Sequence, residues 1–212
     1  RALDLIAEAL KIQPNNPTFH INLGTVFLKL EQFEKAEAAF RRVTELRPDY
    51  AVGHNQLGVA LMEAGKNRES LASFETAMRL RPNDATILFN VGCIHIRLKN
   101  YDEAIRLLNA ANVIEPKNSE VLVNLGYAFA MEKKYPKAIE HIRQAASLKP
   151  DDKEVQYFLG SLYVAAKNKQ AALAQQNTVF SMDPALGRRL YQEIYSDKIV
   201  VATFDDVTRP RK

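Results

Sequence analysis

The chain has 212 residues, 47% hydrophobic and 25% charged, with a net charge of +4 and one cysteine. That composition belongs to a folded globular protein, well outside the disordered class. A single cysteine excludes an internal disulfide framework and any multi-cysteine metal site, and it leaves the compartment open, with the cytoplasm as the default expectation.

No apolar run approaches the roughly 18 residues of a membrane-spanning helix, so no membrane insertion is expected. Charges of both signs alternate along the helical stretches instead of gathering on one basic face, so no nucleic-acid partner is expected either. The sequence opens at Arg1 without an initiator methionine or a signal-like segment, and is expected to be a piece of a longer protein.

In chain order, the first helical stretch spans residues 1–16, with Ala2, Ile6, Ala9 and Pro14 as its regular positions. The next, "HINLGTVFLKL", carries Gly24 in its middle, where glycine costs roughly 1 kcal/mol relative to alanine. Gly24 recurs as Gly58, Gly92, Gly126 and Gly160, each 34 residues on, and a proline series keeps the same step: Pro14, Pro48, Pro82, Pro116, Pro150 and Pro184. A leucine or valine precedes each glycine (Leu23, Leu57, Val91, Leu125, Leu159), and a small residue follows twelve later (Ala36, Ser70, Ala104, Ala138, Ala172). These spacings predict two helices per unit, A and B, roughly 18–30 and 34–46 in the first unit. Proline ends each B helix, and "RPDY", "RPND", "EPKN" and "KPDD" turn into the next unit. The glycine is then explained by packing: opposite a small side chain such as Ala36, it lets two antiparallel helices approach closer than usual.

This pattern resembles the tetratricopeptide repeat (TPR) family, which has the same unit length and signature residues, over about nine tenths of the chain. The resemblance implies an all-α fold, a right-handed solenoid of antiparallel helix pairs. Its domain reading is a lone helix B of an incomplete preceding repeat at 1–16, then five repeats at 17–50, 51–84, 85–118, 119–152 and 153–186. A C-terminal capping helix follows at 187–197, and an extended tail or linker at 198–212.

Helix B carries Phe40, Phe74, Leu108 and Ile142 at equivalent places, but Gln176 in the fifth unit, so the fifth repeat is expected to be the loosest. The stretch "ALGRRLYQEIYSD" puts Leu186, Leu190, Ile194 and Tyr195 on one helical face, suited to shielding that repeat. In the tail, residues 199–204 form a β-branched run; they are either part of a linker or a strand that adds to the groove of this or another copy.

No catalytic or metal-binding constellation is expected. His20 and His54 are equivalent positions one repeat apart, and His95 and His141 lie on different helices, so no HxxxH or HExxH pair exists. Cys93 and His95 are two residues apart on a helix and cannot face each other. Every glycine except Gly53, Gly65 and Gly187 is taken up by the repeat, leaving no phosphate loop, and no cofactor is expected.

A surface remains: the side of helix A turned away from helix B, which the TPR resemblance makes concave and ligand-binding. Candidate peptide-binding residues on it are Asn22, Asn55, Gln56, Phe89, Asn90, Arg97, Val123, Asn124, Tyr127, Tyr157 and Phe158. The sixth-position column, Asn22, Gln56, Asn90 and Asn124, offers amides able to donate to and accept from an extended peptide backbone. It resembles the asparagine ladder of O-GlcNAc transferase. The alternative for these amides is to cap or bridge neighbouring helices. Phe89, Tyr127, Tyr157 and Phe158 have the composition of a binding hot spot, or of helix packing.

The lysine and asparagine set with which TPR domains clamp acidic chaperone C-termini is missing, since position five reads Ile21, Asn55, Phe89, Val123 and Tyr157. The expected partner is therefore a protein or peptide without that acidic terminus. Three functions stay open: a non-catalytic scaffold binding a peptide segment, a homo-oligomer assembling through its half-repeat or tail, and the substrate-recognition arm of a larger enzyme resembling O-GlcNAc transferase.

Overall fold

The computed structural model describes residues 2–196, which form twelve helices and no strand. The chain divides into two compact units, Arg1–Asn100 and Tyr101–Lys212. The first holds α1 (Ala2–Ile12), α2 (Pro17–Lys29), α3 (Phe33–Leu46), α4 (Ala51–Glu63), α5 (Asn67–Leu80) and α6 (Ala85–Arg97). The second holds α7 (Tyr101–Ile114), α8 (Ser119–Met131), α9 (Tyr135–Leu148), α10 (Lys153–Ala165), α11 (Lys169–Met182) and α12 (Pro184–Tyr195). The tail expectations for residues 198–212 lie outside the described residues.

Four of the five turns into the A helices of the repeats carry a side-chain cap in register, and Tyr50, before α4, makes none. Asn16, Asp84, Asn118 and Asp152 each accept a hydrogen bond from a backbone N–H of the helix they open, meeting donors that have no helical partner. At the fourth-position column the side chain reaches back over this turn. His20 Nε2 lies 2.8 Å from Pro14 O and His54 Nε2 2.9 Å from Pro48 O. Gln156 Nε2 donates to Pro150 O at 3.0 Å. The turns from A to B need a left-handed residue, and Glu31, Gly65, Lys99, Lys133 and Lys167 supply it with φ between +56° and +77°. Gly65 is thus part of the repeat after all. Gly53 and Gly187 are also close-contact positions: a Cβ there would meet Val43 Cγ1 at 2.8 Å and Phe180 Cα at 2.5 Å.

The glycine column works differently from the sequence expectation. A Cβ on Gly24 would stand 2.6 Å from Phe40 Cζ, and one on Gly58 2.5 Å from Phe74 Cδ1. On Gly126 it would collide with Ile142. The glycine therefore makes room for the large side chain of helix B more than for the small one. Phe40, Phe74 and Ile142 are fully buried, and burying each contributes on the order of 1.5–3 kcal/mol. The small column still belongs to the same approach: Ser70 Oγ donates to Gly58 O at 2.7 Å.

In the fifth repeat helix A is well buried, whereas α11 buries two residues, Ala172 and Val179. Val155, Tyr157, Phe158, Leu159, Leu162 and Val179 are all buried. Gln176 does turn away from the glycine, its Nε2 donating to Gly187 O at 3.2 Å. Its place is taken by Leu190 of α12, which is fully buried and lies where a Cβ on Gly160 would be.

Leu190 can do this because α12 starts early. Elsewhere four residues separate a B helix from the next A helix, as at 47–50, but Asp183 alone joins α11 to α12. Asp183 Oδ1 accepts from Ala185 N at 3.0 Å and Leu186 N at 3.2 Å, Pro184 takes the first helical position, and Lys153 Nζ pairs with Asp183 Oδ2 at 2.6 Å. Of the four apolar residues expected to shield the last repeat, Leu190 is buried and Leu186 and Ile194 half-buried. Tyr195 points outward, its ring 4.7 Å from that of Tyr191 and under Lys169.

Gly58→Ala is expected to destabilise the chain by about 1–3 kcal/mol through overpacking. Phe74→Leu in the same chain should recover part of that loss in a urea-denaturation double-mutant cycle. Additive losses would show that the two side chains do not share this space. Lys133→Gly, which relieves a left-handed non-glycine residue, is expected to stabilise by about 0.5–1 kcal/mol, read as a raised Tm.

Candidate functional site

In the first unit the outer-facing positions of α2, α4 and α6 carry six of the candidate residues. Asn22 is exposed and Gln56 half-buried, and neither amide is engaged within the described residues. Asn55, read as surface, is buried, and it is brought together with Asn90: Asn90 Nδ2 donates to Asn55 Oδ1 at 2.9 Å, bridging α4 and α6. Arg97 also bridges these helices, with Nη1 donating to Met62 O at 3.0 Å and Nη2 to Glu63 Oε1 at 2.8 Å. Phe89 is half-buried. The column thus divides by role. The Asn55–Asn90 pair and Arg97 link neighbouring A helices, while the amides of Asn22 and Gln56 stay unengaged within the described residues.

The second unit corrects the sequence expectation. Val123, Asn124, Tyr127, Tyr157 and Phe158, all read as surface, are buried. Asn124 is 3% exposed and its Nδ2 donates to Glu120 O of its own helix at 2.8 Å. Phe158 is fully buried and packs on Tyr127 with ring centroids 6.5 Å apart. Tyr157 donates its hydroxyl to Glu193 Oε1 of α12, Ser161 Oγ donates to Glu193 Oε2 at 3.0 Å, and the Arg189 guanidinium lies 5.1 Å from the Tyr157 ring centroid. The aromatic cluster is therefore core, packed among α8, α10 and α12.

The electrostatics follow from that burial. Desolvation pushes the Tyr157 phenol up, and its hydrogen bond to Glu193 adds to the effect. Desolvation also raises the Glu193 carboxyl, outweighing the hydroxyls of Tyr157 and Ser161 and the charge of Arg189. Glu193 escaped the sequence reading, because the early start of α12 takes this helix out of the 34-residue step.

The histidines are packing and turn residues. His141 stacks on Phe129 at 5.4 Å and 2°, and burial lowers its imidazole below the ordinary value. Cys93 is buried. Among the described residues no group of three or more His, Cys, Asp or Glu side chains is placed to hold a metal ion, and no helix is long and apolar enough to cross a membrane.

Antiparallel helix pairs recurring every 34 residues, with close approaches at Gly24, Gly58, Gly126 and Gly160, define a helical-repeat protein. Tetratricopeptide repeat models match residues 17–50, 55–119 and 119–152, and the chain belongs to the tetratricopeptide repeat family. No curated protein matches it.

Several solved structures share the fold. MamA 41-end from Desulfovibrio magneticus RS-1 is 21% identical with a TM-score of 0.74, over 80% of this chain and 96% of that one. YrrB, described as a TPR protein with an unusual peptide-binding site, is 18% identical with a TM-score of 0.72, over 90% and 100%. Pseudomonas aeruginosa pilF is 22% identical with a TM-score of 0.72, over 91% and 86%. At these identities the likeness concerns the fold alone.

The division between open and buried candidates has a direct stability signature. Phe158→Ala is expected to cost about 3–5 kcal/mol, whereas Asn22→Ala should change stability by less than about 0.5 kcal/mol. Comparable losses in chemical denaturation would contradict the burial described above.

Proposed function

We propose that the chain is a non-catalytic interaction scaffold that binds an extended segment of a partner protein along α2, α4 and α6. The observation that carries this reading is the pair of unengaged amides, Asn22 and Gln56, at the same position of successive A helices. An amide both donates and accepts, so it matches the N–H and C=O groups of a peptide main chain whatever the side chains. Phe89 and Ile21, both half-buried, supply apolar contact beside them, and the Asn55–Asn90 and Arg97–Glu63 bonds fix the spacing of α4 and α6 in advance of binding. A peptide-binding site in YrrB, a chain of the same fold, supports the reading. Sites on the second unit are not part of it, because their side chains are spent internally.

A displayed library of random peptides selected on the full chain supplies the probe. For the best binder, Asn22→Ala with Gln56→Ala is expected to weaken affinity about thirtyfold, the equivalent of two hydrogen bonds of about 1 kcal/mol net each. Asn124→Ala should leave it unchanged. Binding insensitive to the double substitution, or a library that yields no binder above background, would overturn the proposal.

Self-association is the second reading, favoured by α1. It has no buried residue, and Leu5 and Ile12 are 61% and 80% exposed. Light scattering across a concentration series is expected to show a mass above that of the monomer if this reading holds, and Leu5→Glu should return it to the monomer value.

A further inference from the structure

α12 begins three residues ahead of the 34-residue step, so its seventh residue, Leu190, continues the aliphatic column of Leu23, Leu57, Val91, Leu125 and Leu159, and Glu193 follows one turn later, 6% exposed. Burying a carboxylate is costly, and a well-packed hydrophobic residue in its place is often neutral or stabilising by comparison. Closure of the last pair does not need the carboxylate. Leu190 already fills the space over Gly160, and Gly187 brings α12 against Phe180 of α11. Glu193 therefore makes the seating of α12 conditional where leucine would make it permanent.

We propose that α12 is a proton-controlled latch on α10: with Glu193 neutral the helix is held closed, and ionisation of Glu193 loosens it. The contacts fit both states. When neutral, the carboxyl can accept from the Tyr157 hydroxyl at one oxygen and donate to the Ser161 oxygen, 3.0 Å away, from the other. When ionised, it accepts from both hydroxyls but must hold a charge out of water.

The charged groups that face it do not cancel that cost. Arg189 of α12 comes no closer than 3.5 Å with Nε and is half open to solvent, which screens its attraction. Lys169 of α11 and Lys167 of the preceding turn share with Glu193 the wall of a cavity of about 320 Å³. Lys169 sits over the Tyr195 ring, 4.1 Å from its centroid. At the other end of α12, Lys153 holds the Asp183 carboxyl below its ordinary range, so that pair stays charged at neutral and mildly acidic pH. The helix is anchored at its start and conditional toward its end.

The direction of the pH effect follows. Burial holds the docked carboxyl above its ordinary range, and a released α12 returns it to that range. The docked state binds the proton more tightly, so docking is strongest in acid and weakens as pH rises through the docked value. Release uncovers Tyr157 and Ser161 on α10, the positions equivalent to Ile21 and Thr25 on α2. The latch does not depend on the peptide-binding reading.

Amide hydrogen exchange of residues 184–195 in the full chain, followed between about pH 5 and about pH 8 and corrected for intrinsic rates, tests it. The wild-type protection factor is expected to fall across this range, and Glu193→Gln, which keeps the shape and removes the charge, should abolish the fall. Protection that is flat or rises with pH, or an unchanged fall in the variant, would overturn the latch. If the variant fails to fold, carbon-13 titration of the Glu193 carboxyl in the wild-type chain decides the question. A midpoint above the ordinary glutamate value supports the latch, and one at or below it refutes it.

Discussion

The structure depends on one close approach, the passage of a large helix-B side chain across a glycine of helix A. Phe40 over Gly24 and Phe74 over Gly58 occupy space that any Cβ would take. This single constraint sets several others. It fixes the spacing between the two elements in sequence, because the large residue must fall sixteen positions after the glycine. It also demands a tight reversal between them, which the left-handed residues at 31, 65, 99, 133 and 167 provide. Only Gly65 meets that demand without steric cost, and the other four positions accept roughly 1–2 kcal/mol each. A strain repeated at the same step is therefore a consequence of the packing, and the buried aromatic or aliphatic side chain beside each reversal offsets it.

The periodic part of this was legible in the sequence. Five glycines and six prolines in register specify the pair, its length and its turns, since each acts through its own backbone. The physical partner of the glycine was not legible. Ala36 and Phe40 are both in register, and both face helix A, so spacing alone could not say which one meets the missing Cβ. The fate of the A-helix face was likewise hidden. Position six reads as one column of amides, yet Asn22 is exposed and Asn124 buried. What separates them is the neighbouring helix, a tertiary fact that no local pattern encodes.

The clearest departure is at the C-terminal end, where a break in register carries the structure. Gln176 is the wrong residue for a glycine cleft, and read alone it predicts a poorly closed repeat. The one-residue link at Asp183 shifts α12 forward, however, so that Leu190 reaches Gly160 instead. The sequence signals of this exchange lie fourteen residues apart, at Gln176 and Leu190, and in different helices. Each is unremarkable until the geometry joins them, whereas the repeating signals reinforce one another across units.

Repeat proteins are held by neighbour contacts, so a change in the final closure need not disturb the units before it. That independence explains how the A-helix face can serve different ends along one chain. On α2 and α4 it keeps unengaged amides at the surface, while on α10 it is covered by a helix that brings a carboxylate and an arginine to Tyr157. A covered face is stable only while its cover is, and here the cover rests on a buried ionisable group as well as on Leu190. Had position 193 been aliphatic, the last pair would be closed at every pH and the face of α10 would be core without qualification. The glutamate leaves the same geometry in place but ties it to the state of one proton.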